Sequence, residues 1–69
     1  MENDLVLIFS SNKLYEIEIA KSLLLGNDIE SYIVNKQDSM YFFGDIELYV
    51  NINEILRAKI IILKLNEIK

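Results

Sequence analysis

The chain has 69 residues, 52% of them apolar, a net charge of −4, and neither cysteine nor histidine. That length allows one domain, residues 1–69. Disulfides, thiolate chemistry and the commonest zinc sites are excluded. An acidic chain is a poor match to a phosphate backbone, so nucleic acid is not an expected partner.

A domain this small buries only about 60% of its unfolded surface, and chain ordering nearly cancels the hydrophobic gain. With no disulfide to help, a partner surface is the remaining aid, most simply a second copy. No apolar run reaches the ~18 residues that suggest a membrane span. The N-terminus opens with Glu2 and Asp4 rather than the basic region of a signal peptide. No membrane association is expected, and the expected location is the cytoplasm.

Leu5–Phe9 is a continuous apolar run of strand length, suited to a strand with neither face fully wet. Ser10, Ser11 and Asn12 end it and offer helix N-caps. A helix is predicted from about Lys13 to Leu25, with Gly26 as its left-handed C-terminal residue. Ile17, Ala20 and Leu24 share one face at helical spacing, flanked by Leu23, and small Ala20 lets helix and sheet approach closely. Leu14, Tyr15 and Leu25 fall on other sides and are expected to be partly exposed. Ile29–Asn35 reads as the second strand. A strand, a helix and a strand in succession make a right-handed crossover, so the first two strands are predicted parallel.

Lys36 to Asp45 is the longest connection, polar at first and then aromatic. Phe43–Val50 reads as a turn and a third strand. Ile46, Leu48 and Val50 alternate with Glu47 and Tyr49, the pattern of a strand with one buried face. Gly44 supplies backbone freedom at its entry. A last helix is predicted from about Asn51, where Asn51 and Glu54 have capping-box spacing. Ile55, Ala58, Ile62 and Leu65 line its sheet face. A second stripe, Ile52, Leu56, Ile60 and Leu63, exceeds what one helix on one sheet can bury and points toward association.

The order β-α-β-β-α makes an α+β fold, a ferredoxin-like split β-α-β lacking its last strand. The sheet is three-stranded with the third strand central, and both helices lie on one face. The first strand becomes an unguarded apolar edge. On the open face, Leu5, Leu7 and Phe9 (or Val6 and Ile8) are expected near Tyr32 and Tyr49. Leu7, Phe9, Tyr32, Tyr49, Leu56 and Leu63 are the candidate self-association residues.

Catalysis has little to work with. Asp45 and Glu47 point to one side of a strand, yet two carboxylates are too few for a cation site, and solvation or pairing with lysine explains them. Ser39 beside Asp38 gives no base geometry. No cofactor, metal or enzymatic activity is expected. The connection holds the candidate contact patch: Lys36 and Asp38 for charge, Tyr41 and Phe43 for area, and Gly44 at its end. Phe42 or Phe43 plugging the core is the competing reading.

Several segments together carry a resemblance over nearly the whole chain. They are Ala20-Lys21-Ser22-Leu23-Leu24, Gly26 to Ile29, Asn35 to Ser39, Phe43 to Val50, and Ala58-Lys59. In their order and spacing the chain resembles a family of very small bacterial signal-transducing proteins of unknown function, most closely its Bacteroidetes branch. That resemblance implies a β-α-β-β-α domain distantly similar to the PII nitrogen regulators, though fold does not dictate function. With the missing residue types and the spare apolar surface, the expected role is a non-catalytic regulatory or interaction module, a homo-oligomer whose loop from Lys36 to Gly44, or whose open sheet face, meets a protein or small-molecule partner. The alternative is a nucleotide or small-molecule sensor in the PII manner. Against the alternative, the connection from Lys36 to Gly44 is short, and neither Gly26 nor Gly44 belongs to a glycine-rich phosphate cradle.

Overall fold

The computed structural model describes residues 4–37 and 44–68. Strand β1 (Leu5–Ser11) leads to helix α1 (Leu14–Leu25), followed by strands β2 (Ser31–Asn35) and β3 (Ile46–Asn51). A 3-10 turn (Ile52–Glu54) opens directly into helix α2 (Ile55–Ile68). The sheet order is β1-β3-β2, and β3 is antiparallel to both neighbours. The architecture is therefore α+β with the third strand central, of the ferredoxin-like kind expected, and β1 is an edge.

The core lies between one face of the sheet and the two helices. Ile46, Leu48 and Val50 of β3 are fully buried, as are Ile17, Ala20 and Leu24 of α1, Ala58 of α2 and Ile29 between α1 and β2. Ile62 is buried too, and Leu65 packs against this cluster. The helical spacing of these side chains is what places both helices on one sheet face. Alanine near the middle of each buried stripe allows the close approach.

Alternation along β1 breaks at Ile8. Leu7 is opposite Tyr49, but Phe9 is opposite Leu48, so Ile8 is the extra residue of a β-bulge. The bulge turns Phe9 to the helix side, where it packs against the core beside Val6 and Ile8. Phe9 therefore leaves the open-face set that strict alternation assigned to it. Leu5 and Leu7 remain there, both exposed.

The end of α1 also differs from expectation. Gly26 has φ −63°, inside the right-handed region, and Asp28 carries the left-handed conformation at φ 63°. The Ile29 amide donates to the Leu24 carbonyl at 2.9 Å and the Asp28 amide to Leu25 at 3.0 Å. This is the Schellman pattern, with Asp28 in the position usually held by glycine. A short polar side chain is one of the few that tolerates that backbone. At the other end Lys13, extended at φ −115°, occupies the cap position and makes no side-chain cap. Ser11 organises the approach: its Oγ accepts from the Lys13 amide at 3.0 Å and donates to Glu16 Oε1 at 2.5 Å.

The capping box before α2 forms in half. Asn51 Oδ1 accepts from the Asn53 amide at 2.9 Å, while Glu54 pairs with Arg57 at 2.8 Å. The three residues that follow Asn51 are wound as the 3-10 turn, so α2 itself begins at Ile55.

Candidate functional site

Among the described residues, no element covers the sheet face away from the helices. Register brings its side chains together in rows. Leu7, Tyr49 and Tyr32 form the middle row across β1, β3 and β2. Leu5 lies beside Asn51 in the next row, and Val34 beside Glu47 on the opposite flank. Leu5, Leu7, Tyr32 and Val34 are each between 42% and 47% exposed. Alternation along β3 is the cause: burying Ile46, Leu48 and Val50 under the helices turns Glu47 and Tyr49 outward.

A polar chain crosses this apolar ground. Tyr49 donates its hydroxyl to Glu47 Oε1 at 2.8 Å, and Lys36 Nζ lies 3.1 Å from the same oxygen. The Tyr49 hydrogen bond, with Lys36 next, holds the Glu47 carboxyl below its usual range. The bond to Glu47 raises Lys36, with the attraction of the opposite charge adding to it. The same carboxylate raises Tyr49 by accepting its proton in a hydrogen bond. At the far end of β2 the negative charge of Glu30 raises Tyr32, whose hydroxyl reaches Glu30 Oε1 at 3.3 Å. Each tyrosine thus keeps its ring on the face and its hydroxyl on a carboxylate.

Gly44 and Lys36 meet at one end of this face. The Lys36 amide donates to the Asp45 carbonyl at 3.1 Å, and Gly44 has φ 99°. A Cβ on Gly44 would stand 2.8 Å from the Lys36 carbonyl oxygen, so only glycine fits. Gln37 anchors the chain just beyond, its Nε2 donating to the Asn12 carbonyl at 2.7 Å. Asp38, Tyr41 and Phe43 of the candidate loop, with Ser39 and Phe42, lie outside the described residues.

The structure thus joins Lys36, Tyr49, Tyr32 and Leu7 on one surface, with Gly44 at its rim. Leu56 and Leu63 stand on the outer side of the helix layer. Leu5 stands on the face as one of the two expected sets had it, whereas Val34 as a contributor and Glu47 as the anchor were not expected there. The pairing of Val34 with Glu47 in alternation was the available signal. Asp45, two residues from Glu47, is exposed and takes no part in the Lys36 pair.

Two depressions lie among the described residues. A groove of about 230 Å³ lies between α1 and the end of α2, lined by Phe9, Tyr15, Glu16, Ile19 and Leu65. A wider polar one of about 340 Å³ is bordered by Asp28, Glu30, Tyr32, Asn51, Asn53 and Glu54. Among the described residues no group of three metal-ligating side chains comes together, and no helix is long and apolar enough to cross a membrane. Comparison with protein-family models, with curated proteins and with solved structures gave no match.

Proposed function

We propose that this chain is a non-catalytic interaction module of the cytoplasm, a self-associating regulator of the kind its sequence resembles. It meets its partner through the open sheet face. The observation that carries the reading is the middle row of that face. Leu7, Tyr49 and Tyr32 stand side by side, Leu7 and Tyr32 exposed and Tyr49 half-buried, flanked by Leu5 and Val34. Aromatic rings with anchored hydroxyls lose little freedom on contact, which suits them to recognition. The Lys36–Glu47 pair sits at the margin, where a charge pair contributes more to register than to affinity.

The full absence of cysteine and histidine supports a binding role over a catalytic one, since those types supply most nucleophiles and general bases near neutral pH.

The test is affinity capture from the native cell with wild type and with a Leu7→Lys/Tyr32→Lys double variant. Both positions are exposed, so the fold should survive, and circular dichroism checks that it does. The variant is expected to lose the protein that wild type retains. If both capture the same set in the same amounts, the open face is not the contact surface.

A further inference from the structure

We propose that the self-association surface is the outer side of the helix layer, paired about a two-fold axis so that α2 of one copy lies over α1 of the other. This rests on the self-association reading above and decides which surface serves it. Leu56, Ile60 and Leu63 line the side of α2 turned away from the sheet, at 75%, 56% and 61% exposed. These are more exposed than any large apolar residue of the open sheet face, and they form one continuous stripe.

Size favours the same layer. A stable dimer buries about 800 Å² on each partner, so a small domain must use its broadest surface. Two adjacent helices of this length cover about 20 Å by 20 Å. Three strands cover only about 14 Å by 20 Å.

Charge then selects the arrangement. From Ile55 to Leu65, α2 carries Arg57, Lys59 and Lys64 and no acid, on a chain of net −4. Helix α1 carries Glu16 and Glu18 near its start. Glu18, Lys59 and Lys64 are exposed, and none has an ion-pair partner among the described residues. Arg57 Nη2 donates to the Asn27 carbonyl at 2.8 Å, so the start of α2 lies beside the end of α1. Leu65 shares a groove with Tyr15 and Glu16, so the end of α2 lies beside the start of α1. The helices are therefore antiparallel, and Glu18 is level with the turn that holds Lys64. A two-fold axis along the helices sets α2 over the partner's α1 and brings Lys64 to the partner's Glu18. A two-fold axis across them would set α2 on α2 and bring lysines together. Like charges in contact oppose that second arrangement.

The experiment is light scattering over a range of concentrations, on the full chain and four variants. Wild type is expected at about twice its 8.1 kDa chain mass. Leu56→Glu/Leu63→Glu is expected at the monomer mass with unchanged circular dichroism. Leu7→Lys/Tyr32→Lys is expected to stay dimeric. Lys59→Glu/Lys64→Glu is expected to dissociate alone and to pair again when mixed with Glu18→Lys. A dimer broken by the sheet-face variant and spared by the helix variant overturns the proposal and leaves the self-associating module standing. Wild type monomeric at every concentration overturns this pairing and the self-association half of the functional reading together. A monomer that sediments with phosphatidylserine vesicles gives the stripe and its lysines to an anionic membrane surface, and also overturns it. A helix-layer dimer whose sheet-face variant still captures every native partner sustains the pairing and defeats the open-face reading.

Discussion

Phe9 stands opposite Leu48 across β1 and β3, although counting in twos from the Leu7–Tyr49 pair would set it opposite Glu47. One extra residue, Ile8, makes the difference. It lets β1 give two consecutive large side chains to the core, where strict alternation would spend one on the open face.

Phe9→Ala should therefore cost about 2 kcal/mol of unfolding free energy, below the range for a fully buried aromatic because Phe9 is half-buried. Leu7→Ala, on the open face, should cost under about 1 kcal/mol. Urea denaturation of the two variants checks the difference. Equal costs would mean that Phe9 does not pack on the helix side.

The bulge was hidden in the sequence for a physical reason. Val6, Leu7, Ile8 and Phe9 are all apolar, so a slip of one register position exposes no polar mismatch. β3 was legible because Glu47 and Tyr49 interrupt Ile46, Leu48 and Val50 and mark its outer face. The helix cores were legible for the same reason: Ile17, Ala20 and Leu24, or Ala58 and Ile62, recur at a period that only a helix satisfies. Gly26 misled because composition tells which residue can adopt a left-handed backbone, not which one does; the hydrogen bonds of Leu24 and Leu25 place that turn at Asp28. The open face was legible through Tyr32 and Tyr49. Pairing of Glu47 with a lysine was one of the two expected outcomes, but that the lysine is Lys36 was not legible, because those residues are eleven apart in sequence and meet only through the β2–β3 register.

Glu47 gives the fold a signature in pH. Its carboxyl is held below the usual range, so its contribution is present above the unfolded value, about pH 4.3, and is lost as pH falls through the folded one. Lys36 and Tyr49 are raised, so their contributions are present below their unfolded values, about 10.4 and 10, and are lost as pH rises through the folded ones. Thermal unfolding followed across pH should show a plateau between these limits. Glu47→Gln should flatten both limbs, because it removes the partner of all three shifts. An unchanged profile would mean the chain across the open face adds nothing to stability.

Gly44 fixes the entry to β3. Gly44→Ala forces a side chain into a backbone at φ 99° and into the Lys36 carbonyl 2.8 Å away. The cost should be about 1–3 kcal/mol, the range for strained positions of this kind. Since the Lys36 amide bonds to Asp45 at the same turn, the damage should spread to the Lys36–Glu47 pair. The alkaline limb of the pH profile should then weaken along with the midpoint in urea. Loss of the midpoint with the alkaline limb intact would separate the turn from the open face.

Ser31 is the buried polar group whose cost can be read directly. It is 3% exposed, faces the helix layer opposite Val50, and its hydroxyl has no hydrogen-bond partner among the described residues. Its carbonyl, in contrast, accepts from Lys21 Nζ at 2.7 Å, which ties α1 to the start of β2. Ser31→Ala deletes the unpaired hydroxyl and leaves the carbonyl in place. An unsatisfied buried hydroxyl costs about 1–3 kcal/mol, and removing one atom returns part of that against a small loss of packing. Ser31→Ala should be neutral or stabilising by up to about 1 kcal/mol in urea. Lys21→Met, which keeps the stem and removes the ammonium, should destabilise by about 1 kcal/mol, since the carbonyl loses a charged donor. A destabilising Ser31→Ala would show that the hydroxyl does have a partner, and amide exchange at Ser31 and Val50 would then locate it. The two variants lie on one residue's two polar groups, so opposite signs would separate the hydroxyl that the fold tolerates from the carbonyl that it uses.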